Sequence, residues 1–547
     1  MLHRFSLALC LLVAVSLQGR ADADAQLPSG NSCVHCHSSE QTGFNTAHAF
    51  AAADCVACHA GNADGQTEKT AHAGLIAFPG NLANAARACG ACHGERVSGV
   101  TNNMMHTGHG IVVITRDALD DKAGGDTVAI FQSLGHGVAD SLLRKQCASC
   151  HLGQPKTKHA LDVTFDRGGG CLACHINDYP EQGHPTLTTR VEDGRCFGCH
   201  SRSGRISLSY AGLAEVDAPV DAASPATLKL ADGRPVERLP ADAHYLAGMS
   251  CIDCHTSVGL MGDAGAAGHQ RQGVDIQCTD CHDNRNPRVT LAGWPSLLSS
   301  MKQHVPFDTN TETRFLTTES KGTPLWQIEL DEDGALLHSK ITNRQLRVPQ
   351  LKTETPGHDP QHERLTCAAC HSQWAPQCFG CHMEYEPGGE QWDHVDRKVT
   401  AGRWSDKRWH VDNALPTLGV NHQGEIEPFV PGMIMTVAHP SLPETKFVRQ
   451  FAPLSPHTTG ASRSCESCHR SSQALGLGDG QLTNDAGSLR FTPANRQLQD
   501  GLPADAWTSI SKSLEERTPT SGQRPLSASE IQAILEADIG AGKLKAL

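Results

Sequence analysis

Aromatic residues are scarce in this chain. It holds 7 Trp, 4 Tyr and 14 Phe in 547 residues, with no tryptophan before Trp294. The first half therefore cannot build an interior on aromatic side chains, and something else must fill it. Long apolar runs are missing too. The one near the start, Phe5 to Leu17, is 13 residues, too short to cross a hydrocarbon core of ~30 Å as a helix. His3 and Arg4 precede it and Ala23-Asp24-Ala25 follows, so residues 1–25 read as a secretory leader cut before Gln26. Cys10 sits too early for a lipid-modified cysteine, and Leu9 is too bulky for the residue before one. No later stretch nears 18 apolar residues, so the mature chain is read as soluble, with no transmembrane span. Positive charge is in deficit, 46 Lys and Arg against 59 Asp and Glu, a net −13. That balance argues against nucleic acid and anionic lipid as partners. No nucleophile motif and no phosphate loop stands out.

Cysteine, in contrast, is plentiful and ordered. Of 23 cysteines, one lies in the leader, and the other 22 form 11 C-x-x-C pairs, each followed at once by histidine. In chain order motifs 1 to 4 are Cys33-Cys36-His37, Cys55-Cys58-His59, Cys89-Cys92-His93 and Cys147-Cys150-His151. Motifs 5 to 8 are Cys171-Cys174-His175, Cys196-Cys199-His200, Cys251-Cys254-His255 and Cys278-Cys281-His282. Motifs 9 and 10, Cys367-Cys370-His371 and Cys378-Cys381-His382, are six residues apart, and motif 11 is Cys465-Cys468-His469. Two thiols three positions apart can add to the two vinyl groups of one haem, and the next histidine then serves as proximal iron ligand. Zinc sites do not require histidine after every second cysteine. Disulfide frameworks do not repeat one pentapeptide. Eleven covalent c-type haems are therefore expected, with the tandem pair holding two of them nearly in contact.

From Cys33 to His469 the sequence resembles the multihaem c-type cytochromes of Gram-negative bacteria, here with eleven motifs. The resemblance implies thioether links at all 22 cysteines, proximal ligation by the eleven histidines, and electron transfer between closely packed haems. It also implies residence in the periplasm, with the outer membrane or the exterior as the alternative. The implied partners are redox proteins, a donor and an acceptor, with association to membrane redox complexes. The lysine-ligated C-x-x-C-K variant of pentahaem nitrite reductases is absent.

The sixth ligand separates carriers from enzymes, since a second histidine fills the iron and an open position admits substrate. Past the leader, 19 histidines lie outside the proximal positions, against 11 needed, and one of them, His35, falls inside motif 1. His48 and His244 each precede a motif by seven residues, and His269, His362 and His457 by nine, five and eight. His72, His106, His109, His136, His159, His184, His304 and His358 lie in or beside motif-dense sequence. These thirteen are the candidate distal ligands; His338, His394, His410, His422 and His439 are as readily surface residues.

Motif density divides the chain. Residues 26–290 carry eight motifs, and residues 291–547 carry three motifs and two motif-free spans of more than 80 residues. The expected fold is mainly α and irregular, packed by haem, with the C-terminal half mixed and holding some β structure. Apolar periodicity predicts a helix over Thr127–Arg144, weakened by Gly135 and Gly137. Asp217–Ala241 reads as a polar surface excursion. Leu325–Lys340 predicts a hairpin turning at Asp333-Gly334. Phe429–Val437 predicts a buried strand, with Pro431 against a central place in its sheet. Ser527-x-x-Glu530 is a capping box opening a helix to about Ala537. In Gly402–His410 (GRWSDKRWH), Arg403, Lys407 and Arg408 suggest an anion-binding wall, and the plainer reading is an aromatic core strip with solvated charges. The histidine supply favours an electron carrier of anaerobic or metal, sulfur or nitrogen respiration. The alternative is a reductase of a small inorganic oxyanion at one open haem in the C-terminal half.

Overall fold

The computed structural model describes residues 31–41, 44, 46–120, 129–157, 167–177, 184–201, 207–217, 227–263, 265, 270–283, 288–290, 305–351, 360–408, 411–432, 434–485, 488–511 and 522–539. Residues 1–25, read above as a leader, lie outside them. The chain forms two compact units, residues 1–79 with 178–187, and residues 80–177 with 188–547. Among the described residues no helix is long and apolar enough to cross a membrane.

The fold is not mainly α. It is mixed, 32% helical and 24% strand, with many antiparallel sheets. Most helices are single turns, and the motifs explain why. Side chains at i, i+3 and i+4 share one face of a helix, so one turn suffices to aim two cysteines and a histidine the same way. Such turns form at Ser32–Cys36, Val56–His59, Leu172–His175, Cys251–Cys254, Cys278–His282, Cys367–His371 and Glu466–His469. Polar residues start several of them. Asn31 accepts from the Cys33 N–H, and the Asp280 carboxylate accepts from the Gln277 N–H at 2.7 Å. The material between motifs has no such reason to be helical and pairs as strands instead.

In the second unit a long hairpin, Cys381–Asp393 with Lys398–Arg408, runs beside the parallel strand Ile434–Ala438. One face covers a core of Leu119, Ala139, Leu142, Met383, Trp404 and Val437. The buried Arg144 guanidinium holds the hairpin tip through Asp393 (2.8 Å) and Asp396. A second antiparallel sheet orders Phe451–Pro453, Ile426–Pro431, Thr417–Val420 and Arg524–Pro525 over Phe429, Phe451 and Trp507.

Several local expectations change. No single helix covers 129–144: a short 3₁₀ turn at Phe131–Ser133 breaks at the two glycines, an α turn follows at Val138–Leu142, and a π turn, Leu143–Cys147, leads into motif 4. Residues 227–241 are more than an excursion, because Thr227–Lys229 and Pro235–Arg238 join Leu213–Glu215 in a three-stranded sheet with Val236 fully buried. Phe429–Val437 splits between two sheets. Pro431 ends a strand flanked on both sides, where its missing N–H falls at the last pair, Pro431 opposite Phe451. The 325–340 hairpin forms, with Asp331 opposite Gly334. The capping box forms as well, with Ser527 and Glu530 reciprocally bonded at the start of Ala528–Glu536.

Candidate metal centres

An imidazole can bind a metal through Nε2 only if its single neutral-state proton sits on Nδ1, and a hydrogen bond from Nδ1 fixes that tautomer. Five motif histidines have such an anchor. Nδ1 of His59, His175, His282, His371 and His469 faces the carbonyl of Ile76, Thr188, Pro349, Gly460 and Ile534, at 2.6–3.0 Å. His382 faces the Thr436 hydroxyl at 2.7 Å. Five candidate distal histidines are held likewise. His106, His109, His184 and His457 face the carbonyls of Thr101, Ala129, Pro185 and Ser455, and His244 faces the Asp242 carboxylate at 2.9 Å. Burial keeps others neutral: it drives His151 down to about 4, helped by His106, and His255 down to about 4, helped by His457 and His200.

The rings then meet in pairs, each a motif histidine with a candidate distal one. Ring centres stand 6.2 Å apart for His37 with His72, 6.1 Å for His59 with His184, 6.1 Å for His282 with His244, 6.2 Å for His255 with His457 and 6.2 Å for His469 with His362. A metal–imidazole bond is about 2.0 Å and the nitrogen lies about 1.1 Å from its ring centre, so two rings facing one metal from opposite sides stand about 6.2 Å apart. Ring packing would not hold five pairs to one spacing while their interplanar angles range from 20° to 84°. Coaxial ligation permits any such angle, because both planes contain the metal axis. His151 and His106 form a sixth, closer pair at 5.2 Å with the Gln132 amide against both. Gly153 leaves room for it, since a Cβ there would lie 2.7 Å from His151 Cε1 and 2.8 Å from His106 Cδ2.

Pairing ignores sequence proximity. His244 and His457 partner motifs 8 and 7, not the motifs that follow them, and His362 partners motif 11. Of the other candidates, His48 stands beside Phe50, His109 is anchored near Ala129, and His136 is exposed. His159, His269, His304 and His358 lie outside the described residues. His338 is committed through Nε2 to Glu329 at 2.9 Å. His439 uses Nδ1 to accept the Ser441 N–H, which puts its proton on Nε2. It lies beside Tyr385 and Trp404, at a surface cavity of about 280 Å³ lined also by Glu384 and Glu444. The anion wall does not form. Arg403 pairs with Glu386, Arg408 with Glu215, and Trp404 is buried with Nε1–H on Ser141.

Neighbouring motifs touch through their thiols. The thiols of Cys33 and Cys55 lie side by side without a disulfide, bringing motifs 1 and 2 together in the first unit. In the second unit, again without disulfides, the Cys150 thiol lies beside that of Cys199, Cys196 beside Cys251, and Cys278 beside Cys367. Burial pushes the thiols of Cys174, Cys254 and Cys281 up to about 12, with further increments from Cys196 on Cys174 and from Cys254 on Cys281. Cys370 lies beside Cys465 and Cys468. The resulting order is 4, 6, 7, 8, 9, 11, with motif 5 beside 6. The loop 455–460 serves three consecutive members. His457 pairs with motif 7, the Thr459 N–H donates to Asp242 behind motif 8's partner (2.6 Å), and the Gly460 carbonyl holds His371 of motif 9. His457 has φ +56°, in the left-handed region, a strain that such multiple duties can hold in place.

Two observations test whether haem fits. A pair of histidines supplies two ligands, and a porphyrin supplies the other four. Seven of the ten large apolar side chains exposed among the described residues (Phe50, Leu75, Ile111, Val113, Ile114, Tyr245 and Leu246) lie within five residues of His48, His72, His109 or His244. These exposed apolar side chains stand in sequence beside candidate histidines, and a macrocycle bound at those histidines would cover apolar surface of this kind. The Arg463 guanidinium, between motifs 9 and 11, has Nη1 buried without a partner, where a haem propionate would satisfy it. The residues present fit the group. No family model, curated protein or solved structure matches the chain.

Proposed function

We propose that this chain is a periplasmic multihaem c-type cytochrome that carries electrons along eleven covalently bound haems between redox partner proteins. The five histidine pairs at 6.1–6.2 Å carry the reading. They join motif residues to non-motif residues at the spacing of axial ligands on one iron. Haem supplies reversible one-electron chemistry at the iron. The protein's part would be to fix the Nδ1–H tautomer, offer the iron a second histidine at the five pairs so that no substrate enters there, and keep the centres close. On this reading the path in the second unit follows the thiol contacts, 4–6–7–8–9–11. Leader and cysteine chemistry together support the periplasm, where such haems are attached.

Low-temperature EPR of the oxidised protein, with haem counted by pyridine haemochrome on the same sample, tests this. Eleven haems with low-spin signals are expected. A count near zero would overturn the reading. A stoichiometric high-spin signal would replace a pure carrier with a reductase.

A further inference from the structure

Among the described residues, the eleven histidines named above have an Nδ1 contact of the kind that holds the proton on that nitrogen. Ten of these contacts go to neutral oxygens, nine carbonyls and the Thr436 hydroxyl. The eleventh is His244, whose Nδ1 lies 2.9 Å from Oδ1 of Asp242. The Asp242 side chain is 3% exposed. Its Oδ1 also takes the His244 N–H at 2.8 Å, and its Oδ2 takes the Thr459 N–H at 2.6 Å. Three donors in a buried place stabilise a carboxylate. Capping the turn Ala243–Ala247 does not require the charge, since asparagine or serine caps as well.

We propose that Asp242 is a positioning residue that acts through His244 to lower the reduction potential of the haem at motif 8, setting it below its neighbour at motif 7. This rests on the cytochrome reading above. A carboxylate at Nδ1 draws the proton and makes Nε2 a stronger donor to iron, which favours the more positive, oxidised iron. The buried negative charge acts in the same direction, and because it also reaches His457 and Cys254 at motif 7, the difference between the two centres rests on the Nδ1 contact. Motif 7 lacks this arrangement on its distal side, where His457 donates to the Ser455 carbonyl. During transfer one electron enters the motif 8 iron and one leaves it. No bond is made or broken, and the proton stays on Nδ1. An electron crossing from motif 7 to motif 9 thus meets an uphill step in the middle of the path. Asp242 sets its height, and the Thr459 contact ties it to the loop that holds both neighbours.

The test is a potentiometric titration of the full haem-loaded chain, followed by absorbance and EPR, for wild type, Asp242→Asn and Asp242→Ser. Both variants keep a helix cap and lose the charge. Expected is an upward shift of one component at the low end of the titration, with one low-spin EPR signal moved and the others in place. Serine decides if asparagine, whose amide would face the Thr459 N–H, loads haem poorly. Unmoved potentials in a variant that keeps its haems and low-spin signals overturn the inference and leave the cytochrome reading standing. A wild-type preparation without haem overturns the cytochrome reading itself.

Discussion

Motifs 9 and 10 are the same pentapeptide six residues apart, yet they fold differently. Cys367–His371 is a helical turn with Cys367 exposed. Motif 10 is spread over two strands, Ala375–Cys378 ending on its first cysteine and Cys381–Asp393 beginning on its second, with both cysteines buried. Gly380 makes the bend between them at φ +72°. Motif 9 lies beside motifs 8 and 11, whereas the motif 10 thiols face each other without a disulfide. Tandem spacing alone therefore does not set which centres are neighbours. Motif 9 takes its shape from local helical geometry, and motif 10 from the sheet around it.

If motif 10 depends on that sheet, its core should matter most. Trp404→Ala, which empties the cluster against Cys381 and Met383, should cost about 3–5 kcal/mol in denaturant unfolding, against under about 0.5 kcal/mol for the exposed Trp392→Ala. Gly380→Ala would make motif 10 resemble motif 9. Its new Cβ would lie 2.4 Å from the Met435 Cβ at a left-handed position, so a loss of about 2–4 kcal/mol and of one haem is expected. The converse change in motif 9, Ala369→Gly, should cost only about 1 kcal/mol and, on the cytochrome reading, keep all haems. Equal costs would erase the distinction.

The anchors differ as well. Thr436→Val removes the hydroxyl that faces His382, at about 1–2 kcal/mol, and should shift the spectrum and potential of one haem. No side-chain substitution can remove the Gly460 carbonyl that holds His371. The smallest effect belongs to motif 11, whose anchor, the Ile534 carbonyl, rides on the helix Ala528–Glu536. Burial would raise the Glu530 carboxyl, but Arg524, Ser527 and Arg364 outweigh it and hold it at about 2. A carboxylate depressed in the folded state stabilises above its unfolded pKa, and that contribution is lost as pH falls from about 4.5 through 2. Because Glu530 is partly exposed, screening limits the loss to about 1 kcal/mol. Glu530→Gln should flatten the acid limb of an unfolding titration in that window.

What could be read from sequence was local. The capping box at Ser527 and the hairpin of residues 325–340 depend on residues three or four apart, and both form, the hairpin turning one residue earlier than expected, at Glu332-Asp333. The C-x-x-C-H spacing likewise needs only one turn to aim two cysteines and a histidine the same way. The mainly α fold failed because motif turns are short and the intervening sequence pairs over long range, as Leu213–Glu215 does with Pro235–Arg238. The histidine pairs were not legible, since His457 reaches His255 only through the tertiary fold. The broken 129–144 segment did leave a signal in Gly135 and Gly137. The sequence leaves His338 even between ligand and surface residue, and only the strand opposite, carrying Glu329, shows it to be occupied.

The loop 455–460 also bears on the order of events in the protein's making. A chain is made from its N-terminus, so motifs 7 and 8 arrive long before the segment that supplies His457 and braces Asp242. On the cytochrome reading, ten motifs precede Ser455, and the iron at motif 7 must wait for its second ligand. A nascent or truncated chain ending before that loop would be pigmented but unfinished, with an iron open to adventitious small ligands. Completion of the chain, rather than attachment of its cofactors, is then the step that closes the middle of the wire.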